Sequence, residues 1–347
     1  MHAAKRDVLR NRWRTFKANR RGYISAMILA TLFGLSIFSE VIANDKPIFA
    51  VYKGKWLLPF AVSYAENETF GGPLESEADY SDPWTLQQIE DHGFAIWPPV
   101  RFSYRSINFN IERAPSPPST SNLLGTDDQG RDVLARALYG LRTSMCFALL
   151  LVSISSVIGV SLGALQGYYG GLVDLFMQRF IEMWHGVPVL FLLIILSSIV
   201  VPSFGWILAL MLCFSWMSLV DLTRAECLRV RNFDYVRAAK ALGAREHLIL
   251  FRHVLPSALV SVFTYVPFLV VGAITTLASL DFLGFGLPSG SASLGELLQQ
   301  GKNNPQSPWL GMIGFFVLAL VLSLCLFMGE AVRDAFDPRK LQRGARA

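Results

Sequence analysis

The chain is short of charge. Only 16% of its 347 residues are Asp, Glu, Lys or Arg, against about 25% in soluble domains. Hydrophobic residues make up 52% of it and the mean hydropathy is +0.40. The length alone would allow two soluble domains; this composition instead requires much of the surface to face something other than water. Cysteine is scarce as well. Cys146, Cys213, Cys227 and Cys325 lie in or beside apolar runs, and none falls in the polar region 44–140, which excludes a disulfide framework. There is no CxxC and no HExxH, and the five histidines are scattered, which argues against a metal site. No GxxxxGK[ST] occurs either. The Gln-Gly-Lys-Asn-Asn at 300–304 lacks the earlier glycine and the following hydroxyl residue, so it cannot cradle ATP phosphates.

What the chain does have is long apolar runs. A spanning helix needs about 20 mostly apolar residues, and six runs qualify: 24–43, 143–165, 176–201, 204–222, 257–280 and 309–328. The expected fold is all-α, a polytopic membrane protein of six transmembrane helices. Gly159 and Gly163 in the second run permit close helix contact, or are simply tolerated there. Residues 1–23 hold Lys5, Arg6, Arg10, Arg12, Arg14, Lys17, Arg20 and Arg21 against Asp7 alone. The positive-inside rule places this tail in the cytoplasm, a simpler reading than a nucleic-acid arm. Residues 44–142 then lie outside, and their middle is acidic: Glu66, Glu68, Glu75, Glu77, Asp79, Asp82, Glu90 and Asp91. The loop 223–256 and the C-terminal tail, with Arg333, Arg339, Lys340, Arg343 and Arg346, fall inside and are basic. Both termini are therefore expected in the cytoplasm. Val41-Ile42-Ala43 loosely resembles a signal-peptide cleavage site, but the run before it is long enough to span, which favours an uncleaved anchor.

In the outer segment, the stretches 46–64 and 93–111 alternate enough to predict short strands, and Arg-Ala-Pro-Ser-Pro-Pro-Ser-Thr-Ser at 113–121 reads as an extended linker. A docking surface and a cap over helix ends fit this segment equally. Asp127, Asp128, Arg131, Asp132 and Arg136 crowd the stretch after it. Its glycine and acidic offsets do not match an EF-hand loop; a turn into a helix with Asp at the N-terminus fits better. Residues 131–139 are expected to lie along the membrane surface before the second span.

The loop after the fourth span reads as a helix over 235–242, a turn at Gly243, and a second helix over 244–255, stopped by Pro256. Asp221 and Arg224, three residues apart, are placed to pair. The loop is either an interfacial helix on lipid head groups or a protruding pair that fits a groove on a partner.

Ala238-Ala239, three residues, Gly243, then Leu255-Pro256 twelve residues on resembles the EAA loop of bacterial ABC-importer permeases. The family's acidic first position is Arg237 here and its Ile is His253. The stretches 125–140, 167–183, 280–288 and 329–340 are similar to signatures of the dipeptide and oligopeptide permease branch, and Asn-Arg-Arg-Gly-Tyr at 19–23 and the residues 42–48 and 70–84 resemble the Yej-type subfamily. That subfamily imports peptides and the antibiotic microcin C. The resemblance implies a cytoplasmic tail (1–23), a first span (24–43), a periplasmic segment (44–142), a permease core (143–333) with coupling loop 223–256, and a second tail (334–347). It implies a second permease subunit, ATP-binding subunits that carry ATP and Mg, a periplasmic peptide-binding protein, and a place in the bacterial inner membrane, with no cofactor and no catalysis on this chain. Tyr235, Arg237, Ala238, Ala239, Gly243, Arg245, Leu255 and Pro256 are expected to couple to the ATPase.

Intramembrane carboxylates are the default candidates for the substrate path. Glu182 is one, although Arg179 three residues back is a plain structural partner; Asp281, at the outer end of the fifth span, is the other, unless it is simply solvated. Glu330, Arg333, Asp334 and Asp337 close the sixth span as a charge network or a solvated helix end. A membrane enzyme would need a converging set of reactive groups, and beyond Glu182 and His185 none is visible. An ATP-independent channel or scaffold is the remaining alternative, and it leaves the basic loop unexplained.

Overall fold

The computed structural model describes residues 2–336, with side chains from residue 10 onward. Lys5, Arg6 and Asp7 of the N-terminal tail, and Asp337, Arg339, Lys340, Arg343 and Arg346 of the C-terminal one, lie outside the described side chains. The chain is mostly helical. It opens with α1 (His2–Ala18), α2 (Arg20–Ile37) and α3 (Ser39–Ile42). Next come β1 (Phe49–Tyr52), β2 (Lys55–Leu57), α4 (Glu66–Thr69), α5 (Pro83–His92) and β3 (Gly93–Ile96). The long helices follow: α6 (Val133–Tyr169), α7 (Gly171–His185), α8 (Val189–Ser197), α9 (Phe204–Ser215) and α10 (Met217–Val230). Then α11 (Asp234–Ala241), α12 (Glu246–Ile249) and a π turn (Leu250–Val254) lead into α13 (Leu255–Leu283), α14 (Leu294–Asn303) and α15 (Pro308–Phe336).

Among the described residues four stretches are long and apolar enough to cross a membrane: Val133–Tyr169, Phe204–Val230, Glu246–Leu283 and Pro308–Phe336. The pair α7 and α8 is apolar and long enough only when taken together, and it is bent by 60°. The expected straight third span is therefore broken. Pro188 lacks the N–H that would continue α7 and holds the residue before it extended, so α7 ends at His185. The apolar run at 24–43 does not form one helix either: α2 begins on Arg20 and Arg21 and stops at Ile37, and the chain restarts as α3.

Two further expectations are corrected. Residues 131–139 do not form a separate surface helix, because α6 runs unbroken from Val133 through the second apolar run. The second helix of the loop is not stopped by Pro256 but continues as α13. The π turn at Leu250–Val254 supplies an extra residue just before the proline, and a wide turn accommodates the lost N–H and the ring.

Among the described residues the chain divides into two compact units, one of residues 2–30, 145–288 and 319–336, the other of 31–144 and 289–318. In the first, Gly159, Gly163 and Gly167 of α6 lie against α10. A Cβ on them would come within 2.6 Å of Trp216 O, 2.6 Å of Val220 O and 2.5 Å of Arg224 O. Lipid tails give two helices no hydrophobic reason to associate, so close backbone approach through small residues supplies the contact. On the same grounds Gly22 of α2 meets Ala331 of α15.

In the second unit a three-stranded sheet, ordered β2-β1-β3, is antiparallel throughout. Lys53 and Gly54, both at positive φ, make the tight β1–β2 turn. Ala50, Tyr52 and Leu57 face a small core with Phe70, just past α4, Tyr80 in the turn before α5, and Ile89 of α5. A buried ion network also sits in this unit. Asp132 caps α6, accepting from Ala135 N at 2.8 Å. Burial pushes its carboxyl above the usual carboxylate range, an effect the Ala135 N–H and the Asn122 amide partly offset. Asp127 accepts from Arg131 Nε at 2.7 Å, and Arg136 Nε lies 3.2 Å from the same oxygen. Glu296 of α14 meets Arg136 Nη2 at 2.8 Å and Arg131 Nη2 at 3.3 Å.

Both features predict stability effects. Gly163→Val should overpack the α6–α10 contact and cost about 1–3 kcal/mol, whereas Gly205→Ala, where a Cβ meets nothing within 4 Å, should not. Arg136→Ala should cost about 3–5 kcal/mol, because it strands buried carboxylates. Thermal unfolding in detergent reads all three.

Candidate functional site

The basic stretch after α10 is an elbow pinned to the ends of three long helices. Arg231, just past α10, donates from Nη1 to the carbonyls of Gly167 and Tyr168 at 3.2 and 3.3 Å. These are terminal acceptors of α6 with no helical partner, which a guanidinium suits in both hydrogen bonding and charge. Val236 of α11 is buried with Ala164 and Tyr168 of α6, Cys227 and Val230 of α10, and Ile249, Leu250, Val254 and Ala258 on the way into α13. The Tyr168 hydroxyl donates to Glu246, and Lys240 Nζ approaches the same carboxylate at 3.5 Å while lying over the Tyr168 ring. The Tyr235 hydroxyl bonds the Ser257 hydroxyl at 3.2 Å, and its ring leans on His253. The expected Asp221–Arg224 pair is not what forms. Arg224 makes a two-point contact with Asp174 of α7, Nη2 to Oδ2 at 2.7 Å, because the guanidinium's fork matches a carboxylate it can meet squarely.

Gly243, at φ +75, makes the corner. A Cβ there would meet nothing within 4 Å, so the glycine is required by backbone conformation alone. The corner pushes one surface outward. Tyr235, Arg237, Ala238, Gly243 and Arg245 are all exposed on it, whereas Ala239 and Leu255 are half-buried and pack inward. Pro256 is exposed one residue into α13. Two apolar side chains outside the expected coupling set are also exposed on this loop: Leu242 at 87% and Phe251, on the second helix, at 67%. An apolar residue ending a basic, polar helix was the signal for Leu242.

The two carboxylates proposed for a substrate path are not brought together with the elbow. Glu182 is exposed and bonded to Arg179 at 2.6 Å. Asp281 is buried at the end of α13, where its Oδ1 accepts from Leu287 N at 2.7 Å and ties down the turn that Gly284 opens. Gly286 leaves room for that carboxylate.

Replacing Gly243 should loosen the elbow without filling any space. Gly243→Ala is expected to cost about 1 kcal/mol and Gly243→Asn less, with amide exchange in α11 faster in Gly243→Ala than in Gly243→Asn.

The comparisons with known proteins bear on this arrangement. Residues 159–342 match the family described as "Binding-protein-dependent transport system inner membrane component". The chain is 59% identical over 330 residues to the inner membrane ABC transporter permease protein YejE of Escherichia coli K12, covering 95% of this chain and 96% of that one. It is 50% identical to the peptidoglycan transport system permease protein YejE of Agrobacterium fabrum, covering 96% and 94%. The dipeptide transport system permease protein DppC of Haemophilus influenzae is 38% identical over 63% of this chain and 75% of its own. Among solved structures, a chain of the methionine ABC transporter MetNI in inward-facing conformations covers 58% of this chain and 96% of its own, with a TM-score of 0.50 at 14% identity; that likeness concerns the fold alone. The elbow and its helical roots lie inside the matched region, and the chain belongs to this family: it is a multi-pass inner-membrane permease subunit of an ABC importer.

Proposed function

We propose that this chain forms one half of a heterodimeric pore that imports peptides, driven by ATP hydrolysed on separate subunits. ATP and Mg belong to those partners in this reading, and this chain is a path and a lever. Its relatives carry dipeptide, oligopeptide and peptidoglycan transport in their names, and the peptide portion is the chemistry these cargoes share. Peptide-like antibiotics such as microcin C fall in the same class. A periplasmic binding protein delivers the cargo. The basic N-terminal helix and elbow sit in the cytoplasm, α2 serves as the first of six spans, and the segment 44–142 stands in the periplasm.

The observation that carries the lever is the two-sidedness of α11. Its inner residue Val236 is locked into the roots of α6, α10 and α13, while Tyr235, Arg237, Ala238 and Leu242 face outward. A helix held so firmly on one side transmits a push on the other to the spans, as rigid-body switching requires. The small exposed alanines let a partner groove approach closely, and Leu242 offers an apolar anchor for its floor. A channel would leave that surface without a use.

Leu242→Asp is the direct test. Since Leu242 is 87% exposed, the purified variant should unfold near the wild-type temperature, yet retain the ATP-binding subunits at least about tenfold more weakly in copurification, one desolvated anchor being worth about 2 kcal/mol or more. Undiminished copurification, with peptide uptake intact, would contradict the lever.

A further inference from the structure

Where α1 meets α2 the chain carries a cationic and aromatic surface that neither the elbow nor the pore accounts for. From Arg10 to Ser39 it holds six cations, at positions 10, 12, 14, 17, 20 and 21, and no carboxylate. The helix breaks at Asn19, whose side chain accepts from Gly22 N at 3.2 Å, as an N-cap does. The chain bends there. Trp13 and Tyr23 are ten residues apart, about 15 Å along a straight helix, yet their ring centroids lie 6.5 Å apart. Phe16 closes the cluster, stacked on Trp13 at 5.7 Å and edge-on to Tyr23 at 6.2 Å. Lys17 Nζ sits over the Trp13 and Tyr23 rings, at 5.2 and 5.8 Å.

One side of this segment is occupied by α15. Arg12 lies 4.4 Å over the Phe336 ring, the Asn19 amide reaches Asp334 Oδ2 at 3.4 Å, and Gly22 meets Ala331. The other side is open. Arg10, Arg14, Lys17, Arg20 and Arg21 are exposed, and none of them pairs with a carboxylate among the described residues. By helical spacing the open side continues into α2, where Ile24, Met27 and Ile28 are exposed along it. Those apolar side chains suit lipid tails, and the cations stand where the head groups of the same lipids begin. A soluble partner covering the cations would have no use for the apolar stretch that runs on from them.

We propose that the bend at Asn19 seats the head group of an anionic phospholipid of the inner leaflet, its phosphate held by Lys17, Arg20 and Arg21. The guanidinium fork suits phosphate oxygens, and Trp13 and Tyr23 are the ring types that settle at the lipid–water boundary. A zwitterionic head group brings its own ammonium, which competes for the phosphate; an anionic one does not. Arg10 and Arg14 add attraction to the same leaflet. The positive-inside bias concerns the direction in which a chain inserts, whereas this seat concerns a lipid that stays bound. Through Arg12 and Asn19 the lipid ties α1 and α2 to the inner end of α15. The proposal rests on the cytoplasmic placement of α1 given above.

The test uses the full assembly in phosphatidylcholine nanodiscs doped with a phosphatidylglycerol that carries a photoactivatable group on its head, or with the matching phosphatidylcholine. Crosslinks are mapped by mass spectrometry. Residues 10–24 should be labelled at least about fivefold more by the phosphatidylglycerol. Replacing Lys17, Arg20 and Arg21 together by Gln should remove that excess and leave the ATP-binding subunits in place. All three side chains are exposed, and Lys5, Arg6, Arg10, Arg12 and Arg14 still hold the tail inward. Equal labelling by the two lipids, or an excess that the triple variant keeps, overturns the seat. So does an excess abolished by millimolar inorganic phosphate, which marks a small-anion site, or a triple variant that sheds its ATP-binding subunits with labelling unchanged, which assigns the surface to a protein. Should the triple variant fail to assemble, Lys17→Gln decides alone, with at least about a twofold drop expected. The placement of α1 has its own readout. Ala18→Cys, in a background lacking the four native cysteines, should be shielded from an impermeant maleimide added outside intact spheroplasts; reaction there would sink the placement, and the seat with it.

Discussion

The contact on which the rest of the structure depends is the close approach of α6 and α10. Three glycines spaced four apart bring the α6 backbone against carbonyls of α10, in a solvent where helices gain nothing by hiding apolar surface from one another. The consequence appears at the helix ends. With α6 and α10 drawn together, Arg231 reaches the last carbonyls of α6, and Tyr168 reaches Glu246. Val236 also finds a core to enter. The elbow is held firmly because its roots are, and the proposed lever depends on that hold.

The same economy governs the polar groups. Ionic side chains in the second unit are buried, but they are paired in a network around Asp127, Arg131, Arg136 and Glu296, the condition under which burial of charge is tolerated. Arg224 is likewise satisfied by Asp174.

Much of this was legible in the sequence, and what escaped has physical reasons. Hydropathy located the long helices, since apolar runs of spanning length have few alternatives in lipid. The Gly243 corner and the helices about it could be read because each signal is local. The strands of the sheet were legible for the same reason. The bend at Pro188 was also local and was passed over because the run's hydropathy continues through it. What could not be read was pairing over distance. Arg224 had Asp221 beside it but meets Asp174, 50 residues away; Glu296, 165 residues from Arg131, gave no hint of the network it completes. The continuation of the loop into α13 through Pro256 depends on a π turn, which has no simple sequence signature.

The central claim is that the elbow and its helical roots move as one body. Spin labels at Arg237 of the elbow and Tyr169 at the end of α6 report on it directly, in the complete assembly in lipid, by pulsed electron resonance with and without trapped nucleotide. The account predicts one narrow distance distribution that nucleotide leaves in place, while distances from Arg237 to the second permease subunit shorten. A nucleotide-dependent change within this chain of several ångströms, with the elbow swinging while α6 stays, would contradict it.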